Sequence, residues 1–247
     1  MNKIFSNNYP IINLYKKPFS ESKIVTQMIY GEAFEVINKS TKWIKIKIKE
    51  DNYVGYVKKK KFISYLKPTH KVSSLFANIY KKPNFKNKIG KLPYVAKIKV
   101  ENINSKFAKF QNKWIEVKNI KPLKYKNKNV FKDIKIFKNV KYKWGGKTFK
   151  GMDCSALLQV CFNFNNKFFP RDSGQQEKFL KKNIDLKSIK KNDIIYWKGH
   201  VALALSSKKL IHAYGPLKKT LVTNISQTIK RIRKTAKLNV VSVKRIG

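Results

Sequence analysis

Gly151-Met152-Asp153-Cys154-Ser155-Ala156-Leu157-Leu158-Gln159-Val160-Cys161-Phe162-Asn163-Phe164 joins a flexible point, a polar pair and an apolar stripe in one run. Leu157, Leu158, Cys161 and Phe162 recur at helical spacing, which predicts a helix from Met152 to Phe164 with one buried face. Asp153 is placed to cap that helix, its carboxylate accepting the first free backbone N–H groups. Cys154 then stands at the first helical position. The helix dipole and the unpaired N–H groups favour the thiolate there, and thiolate is the reactive form. Cys161, mid-helix on the apolar side, reads as a small buried hydrophobe. Seven residues of helix hold the two cysteines about 10 Å apart, too far for a disulfide. Free thiols point to a reducing compartment.

Beyond this helix the texture changes to strands, Ile194 to Trp197, Val201 to Leu205 and Leu210 to Tyr214, so the C-terminal region reads as α+β. Two of the three histidines fall here, His200 and His212. Alternation places His200 on the face of Ala202 and Ala204, small residues that leave room for a substrate or a helix. A two-residue turn at Ser207-Lys208 would send the histidines to opposite faces. A three-residue loop or one bulge puts them on the same face, and that register is expected. A Cys–His–His set divides the labour of nucleophilic catalysis. His200 takes the thiol proton and later protonates the leaving amine, and His212 orients His200 and supports the imidazolium. The Cys154 backbone N–H, at a helix start, is the natural oxyanion donor. Zinc could also bind Cys and two His. No CxxC or HxxxH spacing supports it, and neither metal nor other cofactor is expected.

Upstream, Val130, Ile134, Phe137 and Val140 predict an amphipathic helix, and Lys121-Pro122-Leu123-Lys124 marks a boundary before it. Before that boundary lies a repeat. Asn13-Leu14-Tyr15-Lys16-Lys17-Pro18 returns as Asn78-Ile79-Tyr80-Lys81-Lys82-Pro83, and Lys42-Trp43-Ile44 returns as Lys113-Trp114-Ile115. Trp43 to Ile48 nearly alternates apolar and charged residues, as a strand with one buried face does. Tyr30-Gly31 and Val54-Gly55 supply turns or bulges. His70, between the copies, reads as a solvated linker residue. Thr220 to Gly247 is expected to complete the C-terminal sheet.

The 247 residues fit one large domain or two to three small ones. With 42% hydrophobic and 13% aromatic residues the chain has material for real cores, which excludes a wholly disordered protein. No apolar run approaches the roughly 18 residues of a membrane helix, so no membrane partner is expected. Met1 to Pro10 lacks a charged head followed by an apolar stretch, so no secretory signal is visible and a cytoplasmic location is expected. Lys plus Arg is 57 against 13 acids, a net charge of +44. Only Arg171, Arg231, Arg233 and Arg245 are arginines, and lysines run along the whole chain. That reads as a solvated coat with no specific nucleic-acid site, open to non-specific contact with polyanions or cell wall.

The first copy resembles bacterial SH3-like domains through Leu14-Tyr15 before Pro18, Thr26-Gln27-Met28-Ile29-Tyr30-Gly31-Glu32, Trp43, and Asp51-Asn52-Tyr53-Val54-Gly55-Tyr56-Val57. The second keeps the Pro and Trp and has lost the Tyr-x-Gly-Tyr-Val ending. Residues 130 to 215 resemble the NlpC-type cysteine peptidases, papain-like bacterial enzymes that hydrolyse peptidoglycan peptides. The resemblance rests on Tyr142-Lys143-Trp144-Gly145-Gly146, Gly151 to Leu157, Pro170-Arg171-Asp172-Ser173, Gln175-Gln176, Lys191 to Trp197, His200-Val201 and Ile211-His212-Ala213. It implies a multidomain chain: SH3-like barrels at 1–66 and 67–124, then an α+β papain-like catalytic domain at 125–247. It implies Cys154, His200 and His212 as the catalytic residues. Tyr142 falls beside the nucleophile, and Asp153, Ser155 and Ser173 fall on substrate subsites. Trp144 and Arg171 are expected to be structural. Ala156 stands where the family usually has Gly, and Lys191-Asn192-Asp193 where it has Pro-Gly-Asp.

SH3-like repeats before such a domain resemble a subgroup that trims free murein peptides at the bond between γ-D-glutamate and the following diamino acid. In that subgroup the first SH3-like domain reads the free amine of L-alanine. A carboxylate must do so, and Glu32 is the candidate. A non-enzymatic wall-binding or polyanion-binding protein with a degenerate catalytic domain, and a related amidase or acyltransferase, are the competing readings.

Overall fold

The computed structural model describes residues 3–246. Contacts divide the chain into two compact units, one formed by the chain up to Lys126 with Asn163–Lys167, the other by Asn127–Phe162 and the chain from Phe168 on. Among the described residues no helix is long and apolar enough to cross a membrane.

The first unit is built from antiparallel strands. Its N-terminal half forms a seven-stranded sheet in the order Ile24–Ile29, Ile11–Tyr15, Val54–Lys58, Trp43–Ile48, Ala33–Lys39, Ile4–Ser6, Ile63–Ser64. The alternation in Trp43–Ile48 does what it predicts: Ile44, Ile46 and Ile48 are buried against Leu14, Met28, Phe34 and Val57, while Lys45 and Lys47 are half-buried. Gly31, at φ +79°, occupies a turn where a Cβ would lie 2.0 Å from the Lys97 carbonyl oxygen, so no other residue fits. Gly55 is not at a turn. It sits inside the Val54–Lys58 strand, where a Cβ would press on the Leu14 side chain at 3.2 Å.

The sequence repeat is a structural repeat, down to its irregularity. Ile11–Tyr15 pairs with Ile24–Ile29 and slips register between Leu14 and Tyr15. Phe76–Tyr80 pairs with Lys88–Pro93 and slips where Ile79 meets Gly90 and Tyr80 meets Lys88, the same place in the second copy. A bulge bends and twists a strand, so its recurrence means that both copies coil their first hairpin alike. The second copy holds a five-stranded sheet and a three-stranded one, which share a core of Val72, Leu92, Ala96, Phe110 and Ile115. His70 is not in a solvated linker. It opens the His70–Val72 strand, half-buried, with Nδ1 2.9 Å from Thr69 Oγ1.

The second unit holds a six-stranded antiparallel sheet in the order Lys182–Asn183, Val240–Arg245, Ile194–Trp197, His200–Ala204, Lys209–Tyr214, Lys219–Asn224. Helices α1 (Cys154–Phe164) and α2 (Ser173–Phe179) precede it in sequence. The tail completes this sheet through Lys219–Asn224 and Val240–Arg245, as expected, and helix α3 (Ile225–Ala236) lies between the two strands. Its signal was legible: Asn224 caps it, its Oδ1 accepting the Gln227 N–H at 3.1 Å, and Ile225, Ile229 and Ile232 follow at helical spacing. Ile225 and Ile232 pack with Ala202, Ala204 and Leu210. The small residues beside His200 therefore make room for a helix.

The helix expected over Val130 to Val140 is only a 3-10 turn, Ile134–Phe137. The buried residues are Phe131, Ile134, Phe137 and Val140, three apart without exception. A period of three is that of a 3-10 helix, whereas an α-helical stripe alternates threes and fours. In the Lys191-Asn192-Asp193 turn, Asn192 takes φ +74°, the conformation the usual glycine would supply.

Candidate active site

The site begins at the cap of α1. Asp153 Oδ1 accepts the Ala156 N–H at 2.9 Å, as an N-cap should, and Cys154 is the first helical residue. Oδ2 accepts the Gly145 N–H at 2.9 Å. Arg171 clamps both oxygens, NH1 to Oδ1 at 2.9 Å and NH2 to Oδ2 at 2.5 Å. Ser155 Oγ donates to Oδ1 at 3.2 Å and accepts from Arg171 at 3.0 Å. Arg171 is 1% exposed, so its burial is compensated by a bidentate carboxylate. This ion pair ties the loop before α1, the helix start and the segment before α2 into one frame. Asp153 and Ser155 thus face the interior of that frame. Arg171 is structural, as expected.

The Cys154 thiol is buried, and the Val201 and Ser155 backbone N–H groups favour its ionised form. Val201 follows His200 directly, so the start of the histidine strand acts on the sulfur through its backbone. Among the described residues the bridge pairs between the His200 and His212 strands are Leu203–Ile211 and Ala204–Leu210. That register leaves the three-residue loop Ser206-Ser207-Lys208, carries His212 opposite Ala202, and sets both histidines on one face. His200 Nε2 lies 2.9 Å from His212 Nδ1. Val201 N–H is a contributor that sequence reading missed; a backbone donor leaves no residue signature.

Burial dominates the electrostatics. It pushes the Cys154 thiol up to about 12, with the Asp153 charge adding, against the Val201 N–H, Arg171 and the Ser155 N–H. Burial also lowers His200 to about 4, and His212 to about 3 with help from the charges of His200 and Arg231. Burial thus works against the expected thiolate: desolvation opposes the helix N-terminus and favours the protonated thiol and the neutral imidazole. His212 engages Nε2 of His200, so Nδ1 is the ring nitrogen outside that bond.

The other expected residues are distributed as follows. Tyr142 is half-buried and stacks on Gly215, and burial followed by the charges of Cys154 and Asp153 raises its hydroxyl. Ser173 is the half-buried first residue of α2. Glu32, in the first unit, is 2% exposed, and its Oε2 accepts the Ile29 N–H at 2.7 Å. Trp144, expected to be structural, is 64% exposed, so it fills no core.

A cysteine at a helix start and a hydrogen-bonded histidine pair on an antiparallel sheet lie in one unit, and comparison with known proteins points to a cysteine peptidase class. Residues 139–236 match the NlpC/P60 family and residues 14–62 the bacterial dipeptidyl-peptidase Sh3 domain. The chain therefore carries an NlpC/P60 domain behind a bacterial dipeptidyl-peptidase Sh3 domain. It is 23% identical over 231 residues to dipeptidyl-peptidase 6 of Lysinibacillus sphaericus, covering 81% of this chain and 84% of that protein. It is 26% identical over 242 residues to the gamma-D-glutamyl-L-lysine dipeptidyl-peptidase of Bacillus subtilis strain 168, covering 85% and 79%. The crystal structure of an NlpC/P60 family protein from Bacillus cereus ATCC 10987 matches with a TM-score of 0.83 at 17% identity, over 98% of this chain and 99% of that one, a likeness of fold.

Proposed function

We propose that this protein is a cysteine peptidase that hydrolyses the γ-D-glutamyl–diamino acid bond of free peptides beginning L-Ala-γ-D-Glu. The observation that carries the reading is the 2.9 Å contact between His200 Nε2 and His212 Nδ1 in the unit whose helix α1 begins at Cys154. The relative named for γ-D-glutamyl-L-lysine cleavage supports the choice of bond.

In this reading Cys154 Sγ attacks the γ-carbonyl carbon while its proton passes to His200 Nδ1. The Cys154 backbone N–H meets the developing oxyanion. Collapse breaks the C–N bond, and the amine leaves with the proton from His200. A water, deprotonated by His200, then resolves the thioester to the free carboxylate and restores the thiol. Tyr142 and Ser173 line the substrate, Asp153, Arg171 and Ser155 hold the helix start that carries Cys154, and Glu32 reads the free amine. The two N-terminal repeats are both small SH3-like barrels, and a free peptide as substrate fits a recycling role inside the cell.

The test is incubation with L-Ala-γ-D-Glu-diamino acid tripeptide and detection of L-Ala-D-Glu by mass spectrometry. Wild type releases it and Cys154→Ala does not. Equal release from the N-acetylated tripeptide removes the role assigned to Glu32, and no release from either removes the reading.

A further inference from the structure

We propose that the outer face of α3 is a docking site for a flexible, phosphate-bearing polymer that lacks bases, such as a polyol phosphate. This goes beyond the peptidase reading and does not depend on it.

Lys230, Arg233, Lys234 and Lys237 stand at i, i+3, i+4 and i+7, one stripe of the helix. All four are exposed, and with Asn239 they line a shallow cleft of about 450 Å³. The opposite stripe, Ile225, Thr228 and Ile232, is buried, so the cations cannot turn inward. By helical rise the stripe spans about 10 Å, enough to meet neighbouring phosphates on one chain.

A coat of lysines covers this whole protein, and two facts set α3 apart from it. The first is how the chain uses arginine. Arg171 grips Asp153 with two nitrogens, and Arg245 grips Asp193 with Nε at 2.7 Å and NH2 at 2.8 Å. The other two arginines, Arg231 and Arg233, lie exposed on α3, and among the described residues neither has a carboxylate partner. In a chain that otherwise uses lysine, the planar fork is kept where an oxyanion is to be gripped by two bonds. The second is the absence of acids. From Ile194 onward the sequence has 12 Lys and Arg and no Asp or Glu. Elsewhere acids lie among the lysines, as Glu35 does at 3.0 Å from Lys49 and Glu116 at 2.8 Å from Lys118.

The cleft has no aromatic lining on which a base could stack. Single-stranded nucleic-acid sites interleave such platforms with their cations. The stripe therefore reads phosphates alone.

The test measures binding of poly(glycerol phosphate) to the full chain at low salt. Arg233→Ala/Lys234→Ala/Lys237→Ala is set against a charge-matched control on the first repeat, Lys16→Ala/Lys17→Ala/Lys42→Ala. The α3 variant is expected to bind about tenfold more weakly, with a salt slope shallower by about 2, and the control to stay within about twofold of wild type. Arg233→Lys, which keeps the charge, is expected to weaken binding about two- to threefold with the slope unchanged. Equal losses in the α3 and control variants would mean a diffuse lysine coat and overturn the site. Tighter, α3-dependent binding of poly(dT) would make the occupant a nucleic acid and overturn the one named here.

Discussion

His200 Nε2 and His212 Nδ1 are 2.9 Å apart, on strands whose order in sequence did not require them to share a face. One of the two nitrogens must hold the proton. If His200 Nδ1 is to accept from Cys154, His200 carries its proton on Nε2 and donates it to His212. His212 is therefore an acceptor first and a support for the imidazolium second.

A residue that can accept at that position should keep part of the function. His212→Asn is expected to retain more activity than His212→Ala, which should lose roughly 10²- to 10⁴-fold in kcat/KM. Peptide-release kinetics decide this, and equal loss in both variants would mean that the second imidazole only fills space.

The buried thiol predicts a nucleophile that reacts slowly with small alkylating agents. With its proton held up to about 12, Cys154 should alkylate with iodoacetamide far more slowly at neutral pH than a free cysteine, about tenfold faster per unit as the pH rises. Fast labelling at neutral pH would show that a thiolate–imidazolium pair is already formed.

Asp153→Asn should be severe. It breaks the bidentate pair and leaves the buried Arg171 charge uncompensated, a cost of about 3–5 kcal/mol. Arg171→Lys does not restore the second bond and should be nearly as unstable in urea unfolding.

The buried histidine makes stability depend on pH. His212 at about 3 lies below the ordinary 6.5, so between these values the unfolded chain binds a proton that the folded chain refuses. Its contribution is full above pH 6.5 and is lost as the pH falls toward 3. Denaturation midpoints of wild type should therefore fall more steeply across this window than those of His212→Asn. Parallel curves would mean that His212 is accessible to protons in the folded state.

In the first unit Lys71 is fully buried without a carboxylate. Its Nζ donates to the carbonyls of Leu123 at 2.9 Å, Tyr125 at 2.6 Å and Phe164, and to Asn166 Oδ1 at 3.4 Å. Lys71→Met keeps the stem and strips these acceptors of their donor, and urea unfolding should show a loss of about 3 kcal/mol. A loss well under 1 kcal/mol would show that the carbonyls find other donors.

Much of this molecule is local, and locality is what sequence displays. The cap at Asp153, the cysteine at the head of α1, the alternation in Trp43–Ile48 and the repeated hairpin each depend on residues close in the chain, whose spacing carries the signal. Other local signals are weaker. Val130, Ile134, Phe137 and Val140 fit an α-helical stripe, and only burial of Phe131 in place of Val130 reveals the period of three. The cap at Asn224 is a single polar residue in a lysine-rich tail.

The sequence by itself determined the repeat, the start of α1 and the chemical types gathered in the second unit. Only the tertiary structure decided that His200 and His212 meet, because a strand's facing flips with every residue of slip and the loop at Ser206-Ser207-Lys208 sets that slip. It alone decided the burial of Cys154 as well: the helix N-terminus favours the thiolate, and desolvation by the folded chain opposes it.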